Sequence, residues 1–156
     1  MIYNSLAAIA VGSLFGMDTA EISDDVSSYK PFAGRLETKR IGDITVLDDS
    51  YNANPASMKS SIDVLQYARG RKVCILGDMF ELGERAAEFH AEVGRRAHVL
   101  ALDQLVTVGA LANANIGGDV QCASAEEAKT ALAAILKPGD LVLLKASHGM
   151  HLELAI

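Results

Sequence analysis

Four short apolar, largely β-branched runs punctuate the second two-thirds of this chain. They are Ile44-Thr45-Val46-Leu47, Val73-Cys74-Ile75-Leu76, Leu105-Val106-Thr107-Val108 and Leu141-Val142-Leu143-Leu144. Between them lie stretches with helical patterning. Strands alternating with helices of about 10–15 residues imply βαβ units and a mostly parallel sheet. Runs apolar throughout imply cover on both faces of that sheet. The expected fold class is therefore α/β, a mostly parallel sheet flanked by helices.

The first strand of the series is preceded by a partner. Residues 34–41 and 44–49 alternate around Gly42-Asp43, a two-residue hairpin signal of type II′ form. Pro55 opens a helix expected over 55–68, with Met58, Ile62, Leu65 and Tyr67 near one face. Further helices are expected over 84–100 and from a capping box at Ser124-Ala125-Glu126-Glu127 to Leu136. Residues 4–16 read as a helix that is apolar nearly all round and so suited to burial, stopped by Gly16. Thr19-Ala20-Glu21-Ile22 resembles a capping box for a second short helix to about Ser28, and Lys30-Pro31 breaks it. Residues 1–30 thus separate from 31–156.

Each apolar run is followed by polar residues. Open α/β sheets hold ligands in the crevice outside the carboxyl ends of their strands. Asp48-Asp49-Ser50-Tyr51-Asn52-Ala53-Asn54-Pro55 follows the first run. Successive strand residues point to opposite faces, so Asp48 and Asp49 diverge, one toward the crevice and one toward the loop; both could equally be solvated or cap the next helix. Gly77-Asp78-Met79-Phe80-Glu81-Leu82-Gly83 follows the second, and Lys145-Ala146-Ser147-His148-Gly149-Met150 the last. Arg35 carries a planar fork suited to phosphate oxygens, and Tyr51 could stack on a flat group or pack.

Several classes are disfavoured. The formal charge of −6 over 156 residues argues against nucleic acid or an anionic membrane surface as the main partner. No apolar run approaches the ~18 residues of a membrane span. The N-terminus shows no signal-peptide pattern. Cys74 and Cys122 form no CxxC, consistent with a reducing, cytoplasmic setting. His148 and His151 lack a third companion for a metal, and His90 and His98 read as surface or packing residues. No GxxxxGK[ST] is present, so a nucleotide handled here would need a phosphate loop from elsewhere.

Taken together, these strings resemble the Mur ligases. Asn4 with Leu6-Ala7-Ala8-Ile9-Ala10, Gly34-Arg35-Leu36-Glu37, Asp48 through Pro55 with Ser57-Met58, Ile75-Leu76-Gly77-Asp78-Met79 with Glu81-Leu82-Gly83-Glu84, His90 with Glu92-Val93-Gly94, and Lys145 through Met150 carry the resemblance. Within the family it points to members that add D-alanyl-D-alanine to a UDP-N-acetylmuramoyl tripeptide using ATP and Mg2+ in peptidoglycan precursor synthesis. The resemblance implies a Rossmann-like C-terminal domain over 31–156 and a helical remnant of the central ATPase domain over 1–30. The uridine site, phosphate loop and metal ligands lie outside this stretch. The 156 residues would then be a piece of the enzyme, inactive alone, with no catalytic residue assigned.

By the same resemblance, Asn4 contacts adenine, Arg35 reaches ATP on domain closure, and Asp49 contacts the ribose. Tyr51, Asn52 and Asn54 line the nucleotide side, while Asp78, Lys145, Ser147 and His148 face the incoming dipeptide. The family usually has Lys-Gly-Ser-Arg where this chain has Lys145-Ala146-Ser147-His148, so a fixed charge is replaced by a mostly neutral histidine. Two other readings stand beside this one. A receiver-like phosphoacceptor domain would use the acidic pair, Asp78, Thr107 and Lys145. A non-catalytic Rossmann-like binding module would need none of them.

Overall fold

The computed structural model describes residues 2–30 and 32–156, with side chains described from Asn4 onward. The break expected at Pro31 lies outside the described residues. The chain divides into two compact units, Met1–Pro31 and Phe32–Ile156.

The first unit is a helix pair, α1 (Ile2–Leu14) and α2 (Thr19–Ser28). Gly16 stops α1: its N–H donates to the Ser13 carbonyl and the Met17 N–H to the Gly12 carbonyl. The cap of α2 is Asp18, not Thr19. Asp18 Oδ1 accepts from Ala20 and Glu21 N–H, and Glu21 reaches back to the Asp18 N–H. The shorter carboxylate takes the N-cap, with Glu21 at its proper third position. The expectation that α1 is buried is not met. Leu6, Val11 and Leu14 are exposed, and of the described α1 residues only Gly12 is buried, against Ile22. A single short neighbour covers one stripe of a helix, not its whole circumference.

The second unit holds a six-stranded sheet of order β1-β2-β6-β3-β4-β5. Its strands are β1 (Glu37–Ile41), β2 (Ile44–Asp48), β3 (Lys72–Gly77), β4 (Gln104–Val108), β5 (Val120–Cys122) and β6 (Leu141–Lys145). β1 pairs antiparallel with β2; the remaining pairings are parallel. Ile41 faces Ile44 across the hairpin, and of the two turn residues only Gly42 has positive φ (58°), the type II′ form.

Alternation along the strands sorts two cores. Val46, Ile75, Val106, Val142 and Leu144 pack with Ala128 and Leu132 of α6 (Ala125–Ile135) and with Leu152. Cys74, Leu76, Leu105 and Leu143 pack on the other face. There they meet α3 (Pro55–Val64) through Met58 and Ile62, α4 (Ala86–Val99) through Val93 and Ala97, and α5 (Ala110–Asn115) through Ala112. Burial pushes the Cys74 thiol well above the usual range and raises the Cys122 thiol as well.

Two details differ from the sequence reading. Helix α3 tightens into a 3-10 turn at Leu65–Tyr67, and Tyr67 is 82% exposed. Nine residues at about 100° each carry it half a turn from Met58. At α6 only half the capping box forms: the Ser124 hydroxyl accepts from Glu127 N–H, while the Glu127 carboxylate bonds Ala123 N–H instead.

The crossover into β6 runs through α6, on the opposite face from α3, α4 and α5. The chain leaves β3 toward α4 on one face and leaves β6 toward Leu152 on the α6 face, and a cleft lies at these carboxyl ends.

Candidate functional site

Most of the polar residues singled out in the sequence converge on that edge. β2 and β6 are neighbours, so the residues just past them, Asp49 and the strand-ending Lys145, meet. Lys145 is 2% exposed, and its ammonium donates to Asp49 Oδ2 at 2.6 Å and to the Asn52 carbonyl at 2.9 Å. Asp49 Oδ2 also accepts from the Ser61 hydroxyl of α3, and Oδ1 accepts from Leu36 N–H at 3.0 Å. A buried charge persists only when paired and fully hydrogen-bonded, and this one is.

Asp48 takes the other direction, as strand alternation requires. It is buried, accepts from Ser50 N–H and hydroxyl, and pairs with Lys39 at 2.6 Å. Burial pulls its carboxyl upward, but the hydrogen bonds from Lys39 and Ser50 outweigh this and hold it below the usual carboxylate range. Neither aspartate caps α3. That role falls to Asn54, whose side-chain carbonyl accepts from Ser57 N–H while Ser57 Oγ accepts from Asn54 N–H.

The turn before β1 docks on this strand tip. Tyr51 N–H donates to the Gly34 carbonyl at 2.9 Å, and the Arg35 guanidinium lies 4.2 Å from the Tyr51 ring centroid. Leu36, next to Arg35, is held at φ 52° by the Asp49 bond. Arg35 is exposed and makes no ion pair to any described residue. The stack continues: Tyr51 to His148 at 5.6 Å between centroids, and His148 to His151 at 5.9 Å. Arg35 and Asp49 thus share one surface.

Beside the stack is a cleft lined by Tyr51, Asn52, Phe80, Glu81, Ser147, His148 and Gly149. Its two walls are laced together. Ser147 N–H donates to the Asp78 carbonyl at 3.0 Å, and the Ser147 hydroxyl accepts from Phe80 N–H at 2.8 Å. His90 fastens the floor of the loop: Nδ1–H donates to the Ala86 carbonyl and Nε2 accepts from Met79 N–H. Those partners select the neutral Nδ1–H tautomer.

Asp78 and Lys145 do not line the cleft. The Asp78 carboxylate accepts from Ala112 N–H and sits where a Cβ on Gly109 would lie 2.6 Å away, so only glycine fits there. Asn4 lies on α1, in a pocket of the first unit with Ala8, Asp25 and Tyr29. The receiver-like alternative finds no support. The Lys145 ammonium is bound to Asp49, the Asp78 carboxylate is closed in, and Thr107 is fully buried.

Lys39, Ser61, Phe80 and the internal role of His90 escaped the sequence reading. Only Lys39 had a usable signal. The two-residue turn sets the hairpin register, Glu37 opposite Asp48, so Lys39 is the diagonal neighbour of Asp48. Among the described residues no group of His, Cys, Asp and Glu is placed to hold a metal ion. None of the described helices is long and apolar enough to cross a membrane.

An exposed arginine thus sits in the turn before the antiparallel edge strand, beside a polar cleft at the carboxyl edge of an otherwise parallel sheet. The chain belongs to the Mur ligase family: its model for the "Mur ligase, glutamate ligase domain" matches residues 34–148. Within it, the chain is similar to the UDP-N-acetylmuramoyl-tripeptide–D-alanyl-D-alanine ligase of Bacillus subtilis, 34% identical over 164 residues. That alignment spans 97% of this chain and 36% of the relative. Among solved structures it is similar to the MurF ligase of Thermotoga maritima in complex with ADP, at 31% identity and TM-score 0.82, covering 94% of this chain and 34% of that one. A corresponding Acinetobacter baumannii ligase superposes with TM-score 0.88 at 30% identity, over 97% of this chain and 34% of that one. The chain therefore spans about a third of the length of the relatives it matches.

Proposed function

We propose that this chain acts as the closing lobe of an ATP-dependent amide ligase that joins D-alanyl-D-alanine to a UDP-N-acetylmuramoyl tripeptide. One observation carries the reading beyond family membership: the Arg35 turn is bonded to the same strand tip that forms one wall of the cleft. Moving one moves the other.

In this reading residues 1–30 are helices of a central ATPase part and 31–156 the C-terminal domain. Asn4 meets adenine. Arg35 meets the phosphates, with Tyr51 and Asn52 beside it. Ser147 and His148 face the dipeptide. Asp49, Asn54, Asp78 and Lys145 act chiefly by positioning, since their polar groups are committed within the fold. The described residues offer no metal cluster, so Mg2+ and the phosphate loop are assigned to the central part.

The chemistry explains the layout. The tripeptide carboxylate is phosphorylated by ATP, the dipeptide amine attacks the acyl phosphate, and inorganic phosphate leaves. Water would destroy the acyl phosphate, so closure must precede its formation. A lobe that carries both an arginine for phosphates and a cleft for the amine couples the two events.

The test is a chimera in which this chain replaces the matching final third of the Bacillus subtilis relative. The chimera should form the UDP-muramoyl pentapeptide in an ATP-dependent reaction, and the chain alone should form none. A folded, inactive chimera, or an active isolated chain, contradicts the proposal.

A further inference from the structure

Three non-glycine residues among those described adopt left-handed backbone: Leu36, Glu81 and His151. All three lie at the carboxyl edge of the sheet. Leu36 is explained by its bond to Asp49, and His151 joins the aromatic stack. Glu81 is different. It is held at φ 61°, lines the cleft, and makes no hydrogen bond or ion pair to any described residue. An L-residue rarely adopts this conformation without a reason, and such strain gathers at functional sites. Two residues on, Gly83 adopts the same conformation freely at φ 59°. A glycine at 81 would be the unstrained choice.

The chemistry of the lining narrows what Glu81 is for. It is the one carboxylate among the lining residues; the others are Tyr51, Asn52, Phe80, Ser147, His148 and Gly149. Tyr51 and His148 supply the aromatic part of the lining, and Arg35 stacks on Tyr51 from outside the cleft. A cleft whose single carboxylate is unengaged, with the Asn52 amide, the Ser147 hydroxyl and the His148 ring as its other polar side chains, is complementary to a ligand that carries an ammonium. The ammonium takes the Glu81 carboxylate.

We propose that Glu81 is the ammonium subsite of the cleft, selecting ligands with a free α-amino group and holding that group for reaction. This rests on the reading of the cleft as the dipeptide site. Position 81 carries a strained glutamate because the ligand needs its charge there.

The experiment is an amide-resolved NMR titration of the intact chain with two probes, D-alanyl-D-alanine and N-acetyl-D-alanyl-D-alanine. The second lacks the ammonium. The variants are Glu81→Gln and Glu81→Gly, the latter removing the carboxylate while suiting the backbone, so that misfolding is separated from lost recognition. For the wild-type chain, Kd is expected to be about tenfold tighter for the free dipeptide than for the acetylated one. Both variants should lose that preference, with Kd for the acetylated probe nearly unchanged. A wild-type preference that survives in both variants overturns the Glu81 assignment and leaves the cleft reading standing. If neither probe moves the amides of residues 80–82 and 147–149, the cleft reading falls, and the assignment with it.

Discussion

The Lys145–Asp49 pair is the strut on which the candidate site is built, and it can be weighed. Its side chains are 2% and 14% exposed, and the ammonium lies 2.6 Å from Asp49 Oδ2. Breaking a buried pair from one side leaves a charge without compensation, at about 3–5 kcal/mol. The two sides are not equal. Lys145→Met leaves a carboxylate that keeps Leu36 N–H and the Ser61 hydroxyl as donors and retains some solvent, so its cost is placed near the low end, about 3 kcal/mol. Asp49→Asn leaves the deeper ammonium without a counter-charge, among neutral carbonyl oxygens of Asn52 and residue 49, and its cost belongs near the high end, about 5 kcal/mol. In the double variant neither charge is stranded, and the total falls short of the sum by about 2 kcal/mol or more. The assay is denaturant-dependent hydrogen exchange of the central β6 amides in all four proteins, which reads the second unit alone. Additivity within about 0.5 kcal/mol, or a lysine variant costlier than the aspartate variant, would mean that the two charges do not depend on each other in this way.

Other expectations follow from single contacts. Glu81→Gly should stabilise the chain by roughly 0.5–1 kcal/mol in thermal melts, the relief of a left-handed L-residue less the added chain entropy of glycine. Asn54→Ala should cost about 1 kcal/mol through loss of the α3 cap. The Lys39–Asp48 pair makes a pH-dependent contribution. Asp48 titrates below its ordinary 3.8 when folded, so its share of stability is complete above that value and is lost as pH falls through the folded one. Lys39, raised above 10.5 chiefly by the Asp48 hydrogen bond, loses its share only as pH climbs through its folded value. The stability gap between wild type and Lys39→Met should therefore be flat from about pH 5 to 8 and close in acid. Because the lysine side chain is 42% exposed, that gap should be about 1 kcal/mol or less.

The strands and their order of polar endings were legible because apolar β-branched runs and turn residues are local signals. The type II′ turn at Gly42-Asp43, Pro55 at the start of α3 and the Gly16 stop needed nothing beyond neighbouring residues. What was hidden is what long-range pairing decides. That Asp49 meets Lys145, 96 residues away, depends on β6 inserting between β2 and β3, and no periodicity encodes strand order. His90 looked like a surface or packing residue because its bond to Met79 N–H exists only once the loop folds back on α4. Residues Asp78 and Lys145 were singled out correctly as strand-end polar groups, but their commitment to Ala112 and Asp49 appears only in three dimensions. The apolar girth of α1 showed a helix that needs cover, without saying what supplies it.

In the proposed function the exposed Arg35 turn, docked on the Asp49 strand tip, closes on a nucleotide. The most direct measurement compares kcat of ligation in the chimera carrying wild-type sequence, Arg35→Lys and Arg35→Ala. Phosphate contact by Arg35 predicts a loss of about a hundredfold or more for alanine and a smaller one for lysine, which keeps charge but not the fork. An alanine variant with wild-type kcat would contradict it.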